Sequence, residues 1–360
     1  MNIAIAFREE YFRISFTPLS LHTTWTGRVK LFMQLLKELS ISRYFKIVNP
    51  RKATLEEVLL AHTKDYIEYV KRSSKIGEGY LDYGDTRSYK GVFQDAMLAV
   101  GGTITLAEMI REGRIEVGFN PQGGFHHAKT HAASGFCVFN DVAIVALLFR
   151  KWGFRRIAIV DIDAHHGDGT QQILYNKDIL KISIHMYYPG FFPGTGDIYE
   201  LGEGDGYGYS VNIPLPPGSG DDIFSYSLEE VILPLLEWYK PEVIVVQMGC
   251  DGHEGDPLTM LRFTTKTYRI FSENIRNIAK KYSNRRIICL GGGGYHEDNV
   301  ARSWLLMLLN FSDLESIEYV KNRLRDVKED TKSTSELWEI VKRRIRNLKN
   351  ELSTIHGIVL

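Results

Sequence analysis

The 360-residue sequence predicts an α/β fold in which one mostly parallel sheet is flanked by helices on both faces. Short apolar, β-branched runs alternate with longer segments of helical periodicity, as βαβ units require. No internal repeat or clear linker interrupts this alternation. Polar clusters follow four of the apolar runs, and open α/β sheets bind ligands at the carboxyl ends of their strands. The sequence therefore predicts a functional site at that edge of the sheet.

The individual elements follow from composition and periodicity. Strands are predicted at residues 3–7, 117–120, 157–163, 181–185, 243–249 and 286–290. Helices between them include residues 95–111, 140–151 and 265–282. Two long stretches rich in Gly, Pro and Tyr, residues 73–91 and 187–220, are predicted as irregular loops, and loops of that length are usually functional.

Length alone would allow one large domain or two, but the βαβ alternation predicts a single domain over residues 1–312, with a helical extension over residues 313–360 packed on the same domain. Because 44% of the residues are apolar, the chain can bury a large core. The tail mixes Lys, Arg and Glu with Leu, Ile, Val and Trp338, which is typical of surface helices.

The overall charge predicts neither direct nucleic-acid binding nor membrane binding, because 44 basic residues balance 44 acidic ones. Cys137, Cys250 and Cys289 show no paired spacing, as expected of buried thiols in a reducing compartment. No apolar run approaches the length of a membrane span, and the amino-terminal apolar run is too short for a signal peptide. These features predict a cytoplasmic protein and leave its oligomeric state open.

The most informative segment is residues 161–169, which follows the apolar run 157–160. Five residues that can bind a metal or relay protons lie within eight positions there. An Asp and a His two apart on an extended backbone, Asp163 and His165, project to the same side, as a mononuclear metal site needs. The alternative for this segment alone is a polar turn with a helix cap.

A second cluster contains two adjacent histidines, His126 and His127, after Gly123 and Gly124. The glycines permit the sharp turn that both rings need to face one site. Both histidines are candidates for metal binding or for proton transfer, since imidazole titrates near neutral pH. A histidine base needs a carboxylate on its far nitrogen, and segment 161–169 offers two spare acids. The alternative is a pair of surface histidines.

The third cluster, residues 249–257, offers Asp251 as the first acid after its strand. Together with the Asp and His of segment 161–169 it makes a two-carboxylate, one-imidazole set, which suits a borderline divalent ion such as zinc. His253 lies either at the rim or in a solvated loop, and we favour the solvated loop. In the fourth cluster, residues 291–294 are glycines that let the backbone approach a site and leave Tyr295 mobile. A tyrosine hydroxyl can donate to an oxyanion. A phosphate cradle is disfavoured there because the Lys and Ser/Thr of a P-loop are missing.

Five segments together resemble the zinc-dependent histone deacetylase superfamily. They are residues 124–141 (GFHHAKTHAASGFCVFND), 161–169, 189–196 (PGFFPGTG), 251–258 and 291–295. This superfamily includes acetoin-utilisation proteins and acetylpolyamine amidohydrolases and has the arginase/deacetylase fold. The resemblance extends from about residue 20 to residue 310, with the motifs in the order that the family keeps.

The resemblance implies one metal centre and one structural cation site. Asp163, His165 and Asp251 would be the ligands of a Zn²⁺ ion, with Fe²⁺ as an alternative. The backbone carbonyls of Asp161, Asp163 and His165, together with Ser183, would line a site for K⁺.

The resemblance also implies catalytic roles for five residues. His127, backed by Asp168, would be the general base. His126, backed by Asp161, would be its electrostatic partner. Tyr295 would polarise the scissile carbonyl.

For the substrate channel, the resemblance implies walls made by Gly135, Phe136 and Phe192, and a rim residue, Asp85, that holds the substrate backbone. Leu258 occupies the position where polyamine-selective members carry an acidic gatekeeper. The chain departs from the family pattern at residues 83–87, which lack the expected Pro, and at residues 22–24, where His-Thr-Thr replaces His-Pro-Glu.

The expected function is removal of acetyl groups from N-ε-acetyl-lysine of proteins. Small acetylated metabolites or polyamines are the alternative substrates, and a non-catalytic acetyl-lysine-binding protein is a further alternative. A two-metal ureohydrolase would need a bridging carboxylate two residues after His165, where the chain has Gly167.

Overall fold

A computed structural model describes residues 2–312, 314 and 317–359. Its centre is an eight-stranded sheet in the order β2-β1-β3-β8-β7-β4-β5-β6, and every neighbouring pair is parallel. The strands are β1 (Ile3–Ala6), β2 (Phe45–Val48), β3 (Val117–Asn120), β4 (Ile157–Asp161), β5 (Leu180–Met186), β6 (Ser210–Leu215), β7 (Val243–Gln247) and β8 (Ile287–Leu290).

Helices connect the strands. They are α1 (Leu19–Glu38), α2 (Leu55–Val58), α3 (Lys64–Ile76), α4 (Val92–Arg111), α5 (Asp141–Lys151), α6 (Asp168–Leu174), α7 (Asp221–Ser227), α8 (Leu233–Tyr239), α9 (Thr265–Tyr282), α10 (Glu297–Phe311), α11 (Glu318–Leu324) and α12 (Ser335–His356). No helix in the described part of the chain is both long and apolar enough to cross a membrane.

Both faces of the sheet are covered by helices, and β3 shows this directly. Phe119 packs edge-to-face against Phe32 of α1 and Trp304 of α10. A Cβ on the preceding residue, Gly118, would instead meet Leu106 of α4. Successive strand residues point to opposite faces, so α4 lies on one face, and α1 and α10 lie on the other. Burial on both faces explains why the strands are continuously apolar.

The topology brings the four polar clusters together. β3, β8, β7 and β4 are neighbours at the centre of the sheet, and each is followed by one cluster. Because the strands are parallel, all four carboxyl ends meet at one edge, as expected from the sequence.

The six predicted strands are confirmed with small differences at their ends, but two strands were missed. β2 and β6 are the edge strands of the sheet. Two of the four residues of β2 are exposed, so its sequence lacks a continuous apolar run. β6 lies inside residues 187–220, so the prediction of a wholly irregular stretch was wrong there. The other predicted loop, residues 73–91, begins inside α3.

The C-terminal extension contains α11 and α12, and α12 covers the edge strand β6. Arg344 donates a hydrogen bond to the Pro214 carbonyl at 2.8 Å. Covering an edge strand protects it from pairing with another chain. Residue 313, where the extension was predicted to begin, lies outside the described residues, and this boundary stays a prediction.

Candidate metal and catalytic site

Three buried side chains converge at the carboxyl edge of the sheet. Asp163 and His165 follow β4, and Asp251 follows β7. Each offers one ligand atom, and these atoms all lie within 4.8 Å of one another. His165 Nδ1 is 2.8 Å from Asp251 Oδ2. The residues predicted as metal ligands are therefore brought together.

Backbone and side-chain donors fix both carboxylates. The Gly293 amide and the Gln247 side chain donate to Asp163 Oδ2 at 2.7 and 3.0 Å. The Ala164 amide donates to Asp251 Oδ1 at 2.7 Å. A Cβ on Gly293 would collide with both carboxylates, so this position requires glycine.

The donor set fits a divalent ion. Burial and the nearby Asp163 carboxylate raise the pKa of Asp251 to about 7, because two buried negative charges oppose each other. A bound cation would relieve that repulsion. Two carboxylates and one imidazole match the ligand preferences of zinc and of similar transition metals.

Two histidine–carboxylate pairs stand beside these ligands, in the pairing expected from the sequence. His126 Nδ1 lies 2.7 Å from Asp161 Oδ2, and His127 Nδ1 lies 2.8 Å from Asp168 Oδ1. The two rings have centroids 4.0 Å apart. Each Nδ1–H donates to its carboxylate, which orients the ring and leaves Nε2 as the reactive nitrogen.

The two histidines differ in their protonation. Although burial opposes the charged form, Asp161 and Asp163 raise the pKa of His126 to about 9. Burial and the neighbouring His126 lower the pKa of His127 to about 4, against the opposing effect of Asp168. His126 is thus favoured as an imidazolium and His127 as a neutral imidazole, the form that can accept a proton.

A cavity of about 270 Å³ leads from the surface to this centre. It is lined by Asp85, His127, Gly135, Phe136, His165, Phe191, Phe192, Leu258 and Tyr295. All the predicted channel and rim residues are among them. Phe191 was missed as a wall, although it stands in the PGFFPGTG segment. Its ring stacks on His165, with centroids 5.0 Å apart and an interplanar angle of 17°.

Tyr295 lines the cavity and is closely packed, so the expectation that the four preceding glycines leave it with little packing was wrong. The residue is only 8% exposed, and its ring contacts Trp25 and Phe136. Its amide donates to Asp256 Oδ2 at 2.7 Å. The preceding glycines permit close packing, since a Cβ on Gly294 would collide with Val300.

Asp85 lies at the mouth of the cavity on a turn organised by Asp82. Asp82 Oδ1 accepts hydrogen bonds from three consecutive amides, those of Gly84, Asp85 and Thr86. These bonds hold the turn, in which the expected Pro is missing. Burial and the adjacent Asp82 raise the pKa of Asp85 to about 7.

Arg28 is a site residue that the sequence did not reveal. It is fully buried in α1, stacks on Trp25 at 3.5 Å and donates to the Gly294 carbonyl at 3.1 Å. Its Nε and Nη2 atoms have no hydrogen-bond partner within the part of the chain that the structure describes. Helical periodicity cannot distinguish such an arginine from a surface one, because long-range contacts determine its burial.

His253 is neither a rim residue nor a solvated loop residue, so the favoured interpretation was wrong. The side chain is buried, with Nδ1 2.7 Å from the Glu254 carbonyl and Nε2 2.9 Å from Asp326 Oδ2. Asp326 follows α11 in the C-terminal extension, so no local pattern indicated the contact.

The region expected to hold a structural cation lies between β4 and β5. Asp161 and Ser183 are partners in the strand register, and both line a cavity of about 20 Å³. Ser183 Oγ is 2.9 Å from His185 Nδ1. The K⁺ site stays a prediction.

Comparison with known proteins identifies the family. The sequence profile of the histone deacetylase domain matches residues 22–311. A probable deacetylase of Archaeoglobus fulgidus is 40% identical over 301 residues, which cover 82% of this chain and 82% of that protein. The acetoin utilization protein AcuC of Bacillus subtilis is 40% identical over 293 residues, which cover 78% of this chain and 76% of that protein.

The structural comparison agrees. The HD domain of HDA15 superposes with a TM-score of 0.82 at 26% identity, covering 100% of this chain and 99% of that chain. The α/β architecture is therefore the arginase/deacetylase fold. With the domain match over most of the sequence and relatives at 40% identity, the chain belongs to the histone deacetylase family as a prokaryotic, acetoin-utilisation-like member.

Proposed function

We propose that this protein is a zinc-dependent deacetylase that removes the acetyl group from N-ε-acetyl-lysine of proteins and releases acetate. The observation that carries the proposal is the narrow cavity that ends at the buried Asp163–His165–Asp251 set. His127 and Tyr295 line the same cavity. A ligand set, a base and an oxyanion donor are the three parts that metal-assisted amide hydrolysis needs.

Asp163, His165 and Asp251 would hold the ion. When bound, it would polarise the acetyl carbonyl and lower the pKa of a water molecule towards neutrality. Fe²⁺ suits the same donors, and metal analysis of the purified protein distinguishes the two ions. K⁺ between β4 and β5 is part of the same proposal.

His127 acts as the general base. Its Nδ1–H donates a hydrogen bond to Asp168, so Nε2 is the atom that takes the proton from the attacking water. The depressed pKa keeps this nitrogen unprotonated before attack. The same nitrogen then protonates the leaving amine, which closes the proton balance.

His126 and Tyr295 stabilise charge. His126 Nε2 lies 3.8 Å from Asp163 Oδ1, so its imidazolium offsets the negative ligand carboxylates. The Tyr295 hydroxyl donates a hydrogen bond to the oxyanion as the carbonyl becomes tetrahedral. Neither residue changes its covalent state.

The cavity walls suit an acyl-lysine. Phe136 and Phe192 provide apolar walls for a four-carbon stem, and Asp85 at the mouth accepts hydrogen bonds from the substrate backbone. Leu258 carries no charge with which to attract the second ammonium of a polyamine. The proposed substrate is an exposed N-ε-acetyl-lysine of a protein, and neither nucleic acid nor a membrane is a proposed partner. The free, buried cysteines fit a cytoplasmic location.

A small acetylated metabolite is the second candidate, because the relatives of 40% and 36% identity include proteins named for acetoin utilisation. The test measures kcat/KM for an acetyl-lysine peptide and for an acetylated polyamine under one set of conditions. We expect the peptide to be preferred and Leu258→Glu to shift selectivity towards the polyamine. A wild-type preference for the polyamine, with no further gain in the variant, would overturn the protein-lysine proposal.

A further inference from the structure

Lys129 extends the His127–Asp168 pair to a second cavity, beside the substrate channel. Asp168 Oδ1 accepts the hydrogen bond from His127, and Lys129 Nζ lies 3.1 Å from Asp168 Oδ2. Asp168 is buried, and in the described part of the chain its Oδ2 accepts no hydrogen bond from a neutral donor. The three side chains form a chain of ammonium, carboxylate and imidazole.

The backbone of Lys129 is firmly held. Its amide donates to the Ala132 carbonyl, and its own carbonyl lies 2.9 Å from His62 Nδ1. The opposite nitrogen of His62 accepts from the Asn140 amide at 2.9 Å. Lys129 is only two residues from His127, so these hydrogen bonds fix the backbone from which both side chains extend.

The ammonium faces a separate cavity. A depression of about 350 Å³ is lined by Lys129, Asp168, Gln171, Gln172, Tyr175, Thr195 and Glu203. It shares no lining residue with the cavity that contains His127. The Lys129 side chain is 38% exposed, so Nζ can be reached without entering the substrate channel.

A carboxylate that holds a histidine must keep one oxygen on the ring nitrogen. Without a cation on Oδ2, the Asp168 carboxylate can rotate and share its charge between solvent and His127. Ion pairing at Oδ2 therefore keeps Oδ1 on Nδ1 and maintains the tautomer with a free Nε2. His127 and Lys129 together hold the pKa of Asp168 down at about 2 despite its burial, so the carboxylate stays ionised.

We propose that Lys129 is a positioning residue that holds Asp168 on the general base, and that neutralising its ammonium from the surface slows the reaction without blocking the channel. Acylation of Nζ would be such a neutralisation, because it removes the charge and the ion pair. The proposal rests on the proposed deacetylase function.

The test compares Lys129→Met and Lys129→Gln with Lys129→Arg in the zinc-loaded full chain, using an acetyl-lysine peptide. We expect kcat to fall about ten-fold in the Met and Gln variants, with KM within two-fold of wild type. Replacing a residue that orients a functional histidine typically lowers activity about 10–100-fold. Lys129→Arg keeps the charge and should restore at least half of kcat. Lys177→Met, at an exposed lysine without an ion pair to the dyad, is the matched control and should match wild type.

A nuclear magnetic resonance readout separates this proposal from the deacetylase assignment. The proton on His127 Nδ1 should give a downfield signal that Lys129→Met weakens or shifts and Lys129→Arg retains, whether or not the protein turns over substrate. An inactive wild type would refute the deacetylase proposal and leave this signal to decide the role of Lys129. An unchanged signal, a kcat within two-fold of wild type, or a change confined to KM or to stability would overturn the role of Lys129.

Discussion

Nε2 of His253 lies 2.9 Å from Oδ2 of Asp326, which belongs to the C-terminal extension. His253 comes two residues after the metal-ligand candidate Asp251. The other ring nitrogen, Nδ1, lies 2.7 Å from the Glu254 carbonyl. Asp326 also accepts hydrogen bonds from the Thr265 amide and from Arg302. The extension thereby fixes the loop that carries Asp251.

This contact predicts a pH-dependent contribution to stability. His253, the Thr265 amide and Arg302 lower the pKa of Asp326 well below its usual range, although burial opposes this effect. A carboxyl with a depressed folded-state pKa stabilises the fold above its unfolded pKa, about 3.9, and loses that contribution as the pH falls further. Asp326→Asn should lower the free energy of unfolding by about 1–3 kcal/mol at pH 7, and the difference should shrink below about pH 4.

Urea unfolding between pH 3 and pH 8 measures this difference. Glu318→Gln is the control, because Glu318 forms ion pairs on the exposed surface of the same extension. It should change stability by less than about 1 kcal/mol. A loss in Asp326→Asn that stays constant down to pH 3 would show that packing, and not the carboxylate charge, explains the contact.

Metal binding should be mononuclear and should stabilise the fold. A Cβ on Gly167 would already lie against Asp161 and His126, so a bridging carboxylate has no room there. Binding to the folded state alone stabilises by about 2.7 kcal/mol at a hundred-fold excess over Kd. We expect one zinc equivalent to raise the Tm of the metal-free protein, and Asp251→Ala to abolish the increase. Binding of two equivalents with similar affinity would contradict the mononuclear site.

Tyr295→Phe should reduce kcat by about 10²–10³ with little change in KM, because it removes one donor to the oxyanion. The ring packs against Trp25 and Phe136 through carbon atoms that the substitution keeps, so the fold should be unaffected. Steady-state kinetics with an acetyl-lysine peptide provide the measurement. Tyr83→Phe, at an exposed tyrosine on the rim turn, is the control. A kcat within a few-fold of wild type would exclude the oxyanion role.

The three residues around the base should rank in a defined order. His127→Ala removes the proton acceptor and should cost about 10²–10⁴ in kcat. Asp168→Asn leaves the acceptor but weakens its orientation, so the loss should be smaller, and His126→Ala should be intermediate. Rates measured from pH 6 to pH 9 for all three variants provide the ranking. Activity of His127→Ala equal to wild type across this range would refute the assignment of the base.

The sequence sufficed for the centre of the site because of one geometric property. Each polar cluster follows an apolar strand, and parallel strands place all their carboxyl ends at one edge. The ligand set and the two His–Asp pairs therefore needed only local patterns and the family resemblance. Their positions agree with expectation, and the variants above test their chemical roles.

What the sequence missed depends on contacts between distant segments. Arg28 and Asp326 look like surface residues in their local sequence. The distant partner of Arg28 is the Gly294 carbonyl, in the loop before α10, and those of Asp326 are Arg302 of α10 and His253. β2 escaped detection because half of its residues are exposed. β6 is buried, but Asn212 and Pro214 interrupt its apolar pattern. The packing of Tyr295 was misjudged because glycines signal close approach as well as flexibility, and a sequence does not show which applies.

Lys181 provides the last prediction, since it places an amino group in the interior, where burial lowers its pKa to about 7. The side chain is only 6% exposed, and Nζ donates to the carbonyls of Leu174, Lys177 and Ile179 at 3.0, 3.4 and 3.0 Å. These carbonyls belong to the end of α6 and to the turn into β5, so one side chain ties the two elements together. Lys181→Met keeps the apolar stem but removes this donor, and the Leu174 carbonyl then keeps only the Lys177 amide.

We expect Lys181→Met to lower the free energy of unfolding by about 2–4 kcal/mol, because each buried polar group left unsatisfied costs about 1–3 kcal/mol. Lys177→Met removes an exposed ammonium from the same turn and should change stability by less than about 0.5 kcal/mol. Urea unfolding at pH 7 compares the two variants. If both variants lose the same small amount of unfolding free energy, the buried amino group of Lys181 adds no stability beyond that of its apolar stem. Packing of α6 against its neighbours must then hold the turn.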